Sequence, residues 1–188
     1  CLPFFQDLRA KHPSALVEVT ITYEEVIRGT HVESMLSISH RWMEPTQPDP
    51  DGEQLKAIKT FLNSPDGEKI ELVWIDSGSM PQDQPTVGLT RSEQDAAAFK
   101  RMLSQVRRTL PRRPLATRPW HLAAHDAPLA HTFRTRAAQV NMLYLGTTVL
   151  ILLDLSYVSR FWTQFEAWLS MQAAGPSGLQ PALAGRRR

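Results

Sequence analysis

A tryptophan and a glutamate stand four residues apart in Tyr157-Val158-Ser159-Arg160-Phe161-Trp162-Thr163-Gln164-Phe165-Glu166. On a helix that spacing is one turn, so the two side chains share a side. A carboxylate packed against an indole loses water and its pKa rises. It can then act as acid, base or stabiliser of a cationic sugar transition state. Two further clusters complement it, Ser37-Ile38-Ser39-His40-Arg41-Trp42 and Val73-Trp74-Ile75-Asp76. Arg41 can hold a phosphate in bidentate fashion, and Trp42 or Trp162 can stack on a base or nicotinamide ring. Each residue also has a plainer reading. Glu166 is then a solvated helix carboxylate, Asp76 the acceptor of an Asx-turn, Arg41 the partner of Glu44 or Asp49, and His40 a hydrogen-bonded core residue. Trp74, alternating on a strand, reads as core.

The elements that must position these groups follow from hydrophobic period. Val17 to Thr22 alternates like a short strand. Thr22-Tyr23-Glu24-Glu25 is a capping-box pattern opening a brief helix that Gly29 would end. Met35 to Ser39 predicts a buried strand, Arg41 to Asp51 a Pro- and Asp-rich loop, and Gly52 to Leu62 a helix with Leu55, Ile58, Phe61 and Leu62 inward. A second strand spans Ile70 to Ile75, followed by a loop from Ser77 to Gly88. Thr90-Arg91-Ser92-Glu93 repeats the capping-box pattern ahead of another helix. A third strand covers Thr148 to Leu153, and a last helix about Ser159 to Gln172, with Phe161, Phe165, Trp168 and Leu169 on its inward stripe. Strands alternating with helices imply parallel strands and right-handed crossovers, hence an α/β three-layer sandwich. In such a sheet the loops after the three strands converge on one edge. Ser39, His40, Arg41, Trp42, Asp76, Tyr157, Trp162 and Glu166 would line a ligand crevice there. Three strands are few for an open sheet, so the fold is expected to continue beyond the carboxyl end.

Composition narrows the class. A chain of 188 residues, 42% hydrophobic and 21% charged, supports one sizeable core. The single cysteine, Cys1, excludes an internal disulfide framework and makes a reducing, cytoplasmic setting the default. Beginning at that cysteine, the chain reads as a piece of a longer protein. The most apolar stretch, Val140 to Leu155, is too short and too polar for a membrane span. The net charge of +2 hides an asymmetry. Residues 106–139 carry seven Arg and one Asp, Arg186 to Arg188 add three more positive charges, and the rest is left at −7. Nucleic-acid binding is therefore disfavoured for the acidic remainder, and no metal site is expected.

Residues 106–139 contain no Lys or Glu and show no sustained period. Removing them joins Gln105 to Val140 and brings Phe99, Met102, Leu103, Val140 and Leu143 onto one stripe of a single helix from about Ser92 to Tyr144. The segment is thus read as an unstructured insertion, either a translated in-phase intron or a natural disordered loop. His121, His125 and His131 within it lack the cysteine or carboxylate that a metal centre needs. The resulting organisation is a flank over 1–33, a domain over 34–172 interrupted at 106–139, and a tail over 173–188.

In Ile38-Ser39, in Val73-Trp74-Ile75-Asp76 and in Tyr157 with Trp162 and Glu166, the sequence resembles the TIR (Toll/interleukin-1 receptor-like) superfamily. Ser37-Ile38-Ser39-His40-Arg41-Trp42 and the segment from Trp74-Ile75-Asp76 to Met80-Pro81-Gln82 are also similar to fungal heterokaryon-incompatibility domains. The resemblance implies a flavodoxin-like fold in an intracellular signalling or defence domain that self-associates with its own kind. In enzymatic members it implies cleavage of NAD between nicotinamide and ribose, NAD being substrate rather than cofactor. Glu166 would be the catalytic glutamate, and Ser39 to Trp42 the substrate-contacting loop. Thr163 stands where the family usually has Cys, Arg160 and Phe161 fall near its usual Ser, and the loop from Glu44 to Asp51 is long. The same fold without catalysis, serving as an interaction module, is the alternative.

Overall fold

A computed structural model describes residues 1–83, 90–104 and 140–182. The segment read as an insertion, 106–139, with its three histidines, lies outside these. Three parallel strands form the central sheet, in the order β2-β1-β3: β1 (His31–Ser39), β2 (Leu72–Trp74) and β3 (Thr147–Ile151). The expectation of a parallel α/β sheet is met.

Strand β1 sets the layers because its side chains alternate. Leu36 and Ile38 face one side, packing with Ile58 of helix α3 (Glu53–Leu62) and with Ile75. Met35 faces the other, in a cluster with Val26, Trp74, Met142 and Leu169. That second layer comprises α2 (Tyr23–Arg28), α5 (Glu93–Ser104), α6 (Val140–Gly146) and α7 (Phe161–Ser170). Helices therefore cover both faces of the sheet. A Cβ at Gly146 would sit 2.8 Å from Val26 Cγ2. The bare residue is what lets α6 end against α2 before the chain enters β3.

Local signals act as their chemistry demands. Thr22 and Glu25 form the full capping box, Glu25 N donating to Thr22 Oγ1 and Thr22 N to Glu25 Oε2, and Gly29 closes α2 at φ 69°. Buried Asp49 accepts from the N–H groups of Gln54 and Leu55 and so caps α3. Phe99 and Met102 of α5, and Val140 and Leu143 of α6, reach the same core as the interrupted stripe requires.

Several expectations are corrected. Val17 to Thr22 is not a strand of either described sheet, with Ile21 buried and Val17 exposed. Ser92, not Thr90, caps α5, its Oγ accepting from Asp95 N at 3.1 Å. A short helix, α4 (Asp76–Ser79), begins where only loop was expected, after α1 (Phe5–Lys11) has packed beside it. The last helix is shorter than expected, and the tail begins with a hairpin of β4 (Gln172–Gly175) and β5 (Gly178–Pro181). Gly178 at φ 118° makes that turn possible, and Tyr23 Oη donates to the Gly175 carbonyl.

The inward stripe of α7 is the largest correction. Leu169 is buried and Phe165 packs against the core as expected, but Phe161 and Trp168 of that stripe, with neighbouring Trp162, are 70, 47 and 68% exposed, whereas Thr163 is buried and Glu166 part-buried. The helix is turned so that Glu166 reaches Ser39 of the sheet, while Thr163 Oγ1 donates to the Tyr157 and Arg160 carbonyls of the preceding turn. Among the described residues no helix is long and apolar enough to cross a membrane.

Candidate functional site

The carboxyl ends of β1, β2 and β3 bring two polar networks together, one on each face of the sheet. On the α7 side, Ser39 is fully buried, and its Oγ donates to Glu166 Oε2 at 2.6 Å. The same Oγ lies 2.6 Å from Tyr157 Oη, which also donates to the Thr163 carbonyl at 2.9 Å. Tyr144 completes the surroundings with a hydroxyl hydrogen bond to Glu166. Burial raises the Glu166 carboxyl to about 7. The hydrogen bonds from Ser39 and Tyr144 pull against that shift, the charge of Asp76 adds to it, and His40 opposes it.

Counting protons gives the same direction. From Glu166 through Ser39 and Tyr157 to the Thr163 carbonyl there are three contacts. Ser39 and Tyr157 own one proton each, and the terminal carbonyl can only accept. With Glu166 ionised, one of the three contacts has no hydrogen. With Glu166 protonated, all three do. The row thus favours uptake of a proton, and it could also pass one along.

On the α3 side the logic inverts. Gln54 Nε2 donates to the Arg41 carbonyl, which fixes the amide so that its Oε1 faces His40 Nδ1 at 2.8 Å. Nδ1 must therefore carry hydrogen. His40 Nε2 lies 2.9 Å from Asp76 Oδ1, so an ionised Asp76 makes the ring an imidazolium with both nitrogens donating. Burial pushes that imidazole toward the neutral form, but the hydrogen bond and charge of Asp76, with Gln54 and Glu166, outweigh it and the pKa is raised. Asp76 also accepts from Trp42 Nε1 at 2.9 Å and from Ser77 N at 2.5 Å. The hydrogen-bonded reading of His40 thus holds together with its place beside Glu166, whereas Asp76 forms no Asx-turn, since its Oδ1 accepts from the adjacent Ser77 N and Gly78 N donates to the Ile75 carbonyl.

Arg41 pairs with neither Glu44 nor Asp49. Its Nε donates to Asp154 Oδ2, tying the loop after β1 to the loop after β3. Asp154 in turn accepts from Ser156 N and Tyr157 N, each at 2.8 Å, and so sets the 3-10 turn that aims Tyr157. Burial raises its pKa, but the Arg41 hydrogen bond and these N–H groups more than compensate, and the net shift is downward.

The structure therefore brings Ser39, His40, Trp42, Asp76, Tyr157 and Glu166 to one edge, with Arg41 at its margin. Trp162 is not among them: it points outward and meets Phe161 edge-on at 5.4 Å. Glu166 is desolvated by hydroxyls and strand, not by that indole. Sequence reasoning missed Tyr144, Gln54 and Asp154, and noted Thr163 only as a departure from the family's usual Cys. Only Asp154, as the acidic residue closing an apolar strand, carried a signal that could have found it. A cavity of about 720 Å³ lies elsewhere, beside β2. Comparisons with protein-family models, with curated proteins and with solved structures returned no match.

Proposed function

We propose that this chain is a TIR-like, flavodoxin-like intracellular signalling or defence domain whose Glu166 carboxylate supports cleavage of NAD at the nicotinamide–ribose bond. The supporting observation is the inward Glu166 carboxyl, 2.6 Å from Ser39 at the carboxyl edge of a parallel sheet. Nicotinamide is a cationic leaving group. The C1′–N bond breaks with its electron pair going to the ring nitrogen, which releases neutral nicotinamide and leaves an oxocarbenium-like ribose. The ionised carboxylate stabilises that charge, water adds at C1′, and Glu166 or solvent takes the proton. In this reading Trp42 and Arg41, held by Asp76 and Asp154, would meet a base and a phosphate.

Because burial raises Glu166 to about 7, the ionised form is the minority below that pH. Nicotinamide release should rise about tenfold per unit toward pH 7 and level off above it. The test incubates the self-associated chain with NAD, with Glu166→Gln alongside. A drop of about a hundredfold or more is expected, and equal release by the two removes the catalytic reading. A second reading, a non-catalytic interaction module of the same fold, draws on the exposed aromatics of α7. Exposed Phe161 and Trp168 stack on either side of part-buried Phe165 there, at 6.0 and 5.9 Å, an apolar surface suited to a like partner.

A further inference from the structure

Tyr157 is fully buried, and its phenol and both of its backbone polar groups are held from two directions. From α7, Thr163 Oγ1 donates to the Tyr157 carbonyl, and the Thr163 carbonyl accepts from Tyr157 Oη at 2.9 Å. From the end of β3, Asp154 Oδ1 accepts from Tyr157 N and Ser156 N, each at 2.8 Å. The other oxygen of Asp154 accepts from Arg41 Nε. Asp154 is part-exposed, whereas the phenol that its turn aims lies 2.6 Å from Ser39 Oγ deep in the site. One linkage thus runs from a carboxylate near the surface, through a turn and two hydroxyls, to Glu166.

What that linkage controls follows from the proton supply. With the phenol in place, three contacts share two hydroxyl protons whenever Glu166 is ionised. Withdrawing the phenol removes the two contacts it makes. The Ser39 proton is then left to the Glu166 carboxylate, which needs nothing more from the row. Around Glu166, Tyr144 of α6 hydrogen-bonds it, and the charges of Asp76 and His40 face it from the loops after β2 and β1. The place of Tyr157 therefore decides between a carboxyl that keeps its proton and one that releases it.

We propose that Asp154 is a positioning residue for Glu166: by fastening the turn that aims Tyr157, it keeps the Ser39 hydroxyl shared between phenol and carboxyl. The consequence for turnover rests on the NAD reading above; the positioning itself does not.

Carbon-13 NMR of the full chain, labelled at glutamate carboxyls, follows Glu166 directly, with Glu166→Gln identifying its signal. Asp154→Ala should lower the Glu166 midpoint from about 7 by about 1 pH unit. Asp154→Asn keeps an oxygen for both N–H groups and loses only the charge, so the midpoint should stay within about 0.3 pH unit of the original. Tyr157→Phe should lower it as far as Asp154→Ala does, and the two together no further, because both break one linkage. Where Asp154→Ala does not fold, Asp154→Ser serves instead. Its hydroxyl still accepts from one N–H, and the midpoint should fall by less. An unmoved midpoint in the Asp154 and Tyr157 variants would overturn the assignment. Additive shifts would do so too, since Asp154 would then act independently of Tyr157. Asp154→Asn matching Asp154→Ala would show that charge and not the turn matters, and would overturn it as well. Midpoints that move as stated in a chain releasing no nicotinamide uphold the positioning and remove the NAD reading.

Discussion

Ser39 and His40 are neighbours in sequence, yet they feed networks on opposite faces of the sheet that treat charge in opposite ways. His40 meets a carboxylate and an amide oxygen, and its cation is favoured despite nearly complete burial. Glu166, reached through Ser39, meets hydroxyls that can accept as readily as donate, and burial prevails. Depth alone therefore does not decide protonation. The identity of the nearest partners does: a fixed opposite charge offsets desolvation, whereas a row of hydroxyls cannot.

The comparison breaks most visibly at Asp76. Asp76→Ala leaves the imidazolium of His40 and the indole N–H of Trp42 without their acceptor, and should cost about 3 kcal/mol in urea unfolding. A loss under 1 kcal/mol would mean that the ion pair is not what holds this loop. Glu166→Gln runs the other way. A group whose folded pKa lies above its unfolded value binds more protons when folded, so its effect on stability worsens as pH rises from about 4.5 through about 7. Replacing it should stabilise the fold by about 2 kcal/mol at pH 8 and by almost nothing near pH 4. Unfolding curves at the two pH values check both numbers.

A sharper form follows the histidine by NMR. The pKa of His40 is raised, so its contribution is complete below the unfolded value of 6.5 and disappears as pH climbs through the folded one. Asp76→Asn should move the His40 titration downward while leaving it hydrogen-bonded. An unmoved titration would assign the shift to some other group. The smallest expected effect lies outside both networks. Thr22→Ala removes one half of the α2 capping box and should cost about 1 kcal/mol in thermal unfolding, with no change in either titration.

Much of the frame was legible because its signals are local. The buried run ending at Ser39, the capping box at Thr22 and the apolar period of α3 each answer to a few adjacent residues. Parallel pairing followed from alternation of strand and helix, and it drew attention to the loops carrying Ser39, Asp76 and Tyr157. The face of α7 was misread because apolar was equated with inward. There the demand comes from far away in sequence: a hydroxyl at the end of β1 asks for a polar partner, so Glu166 turns to it, and Phe161, Trp162 and Trp168 turn out while Phe165 stays packed on the core. Gln54 was hidden for a similar reason. A helix-surface glutamine is ordinary until His40 is seen to need an acceptor on one side and the Arg41 carbonyl a donor on the other.

Side chains of β1 alternate so that Leu36 and Ile38 meet α3 while Ser37 and Ser39 look toward Thr147 and Glu166. Sliding this strand by a single position would press hydroxyls against Ile58 and offer methyl groups to the glutamate. Such a misthreaded molecule would lose its core and the partners of Glu166 in the same step, so one choice of register decides both.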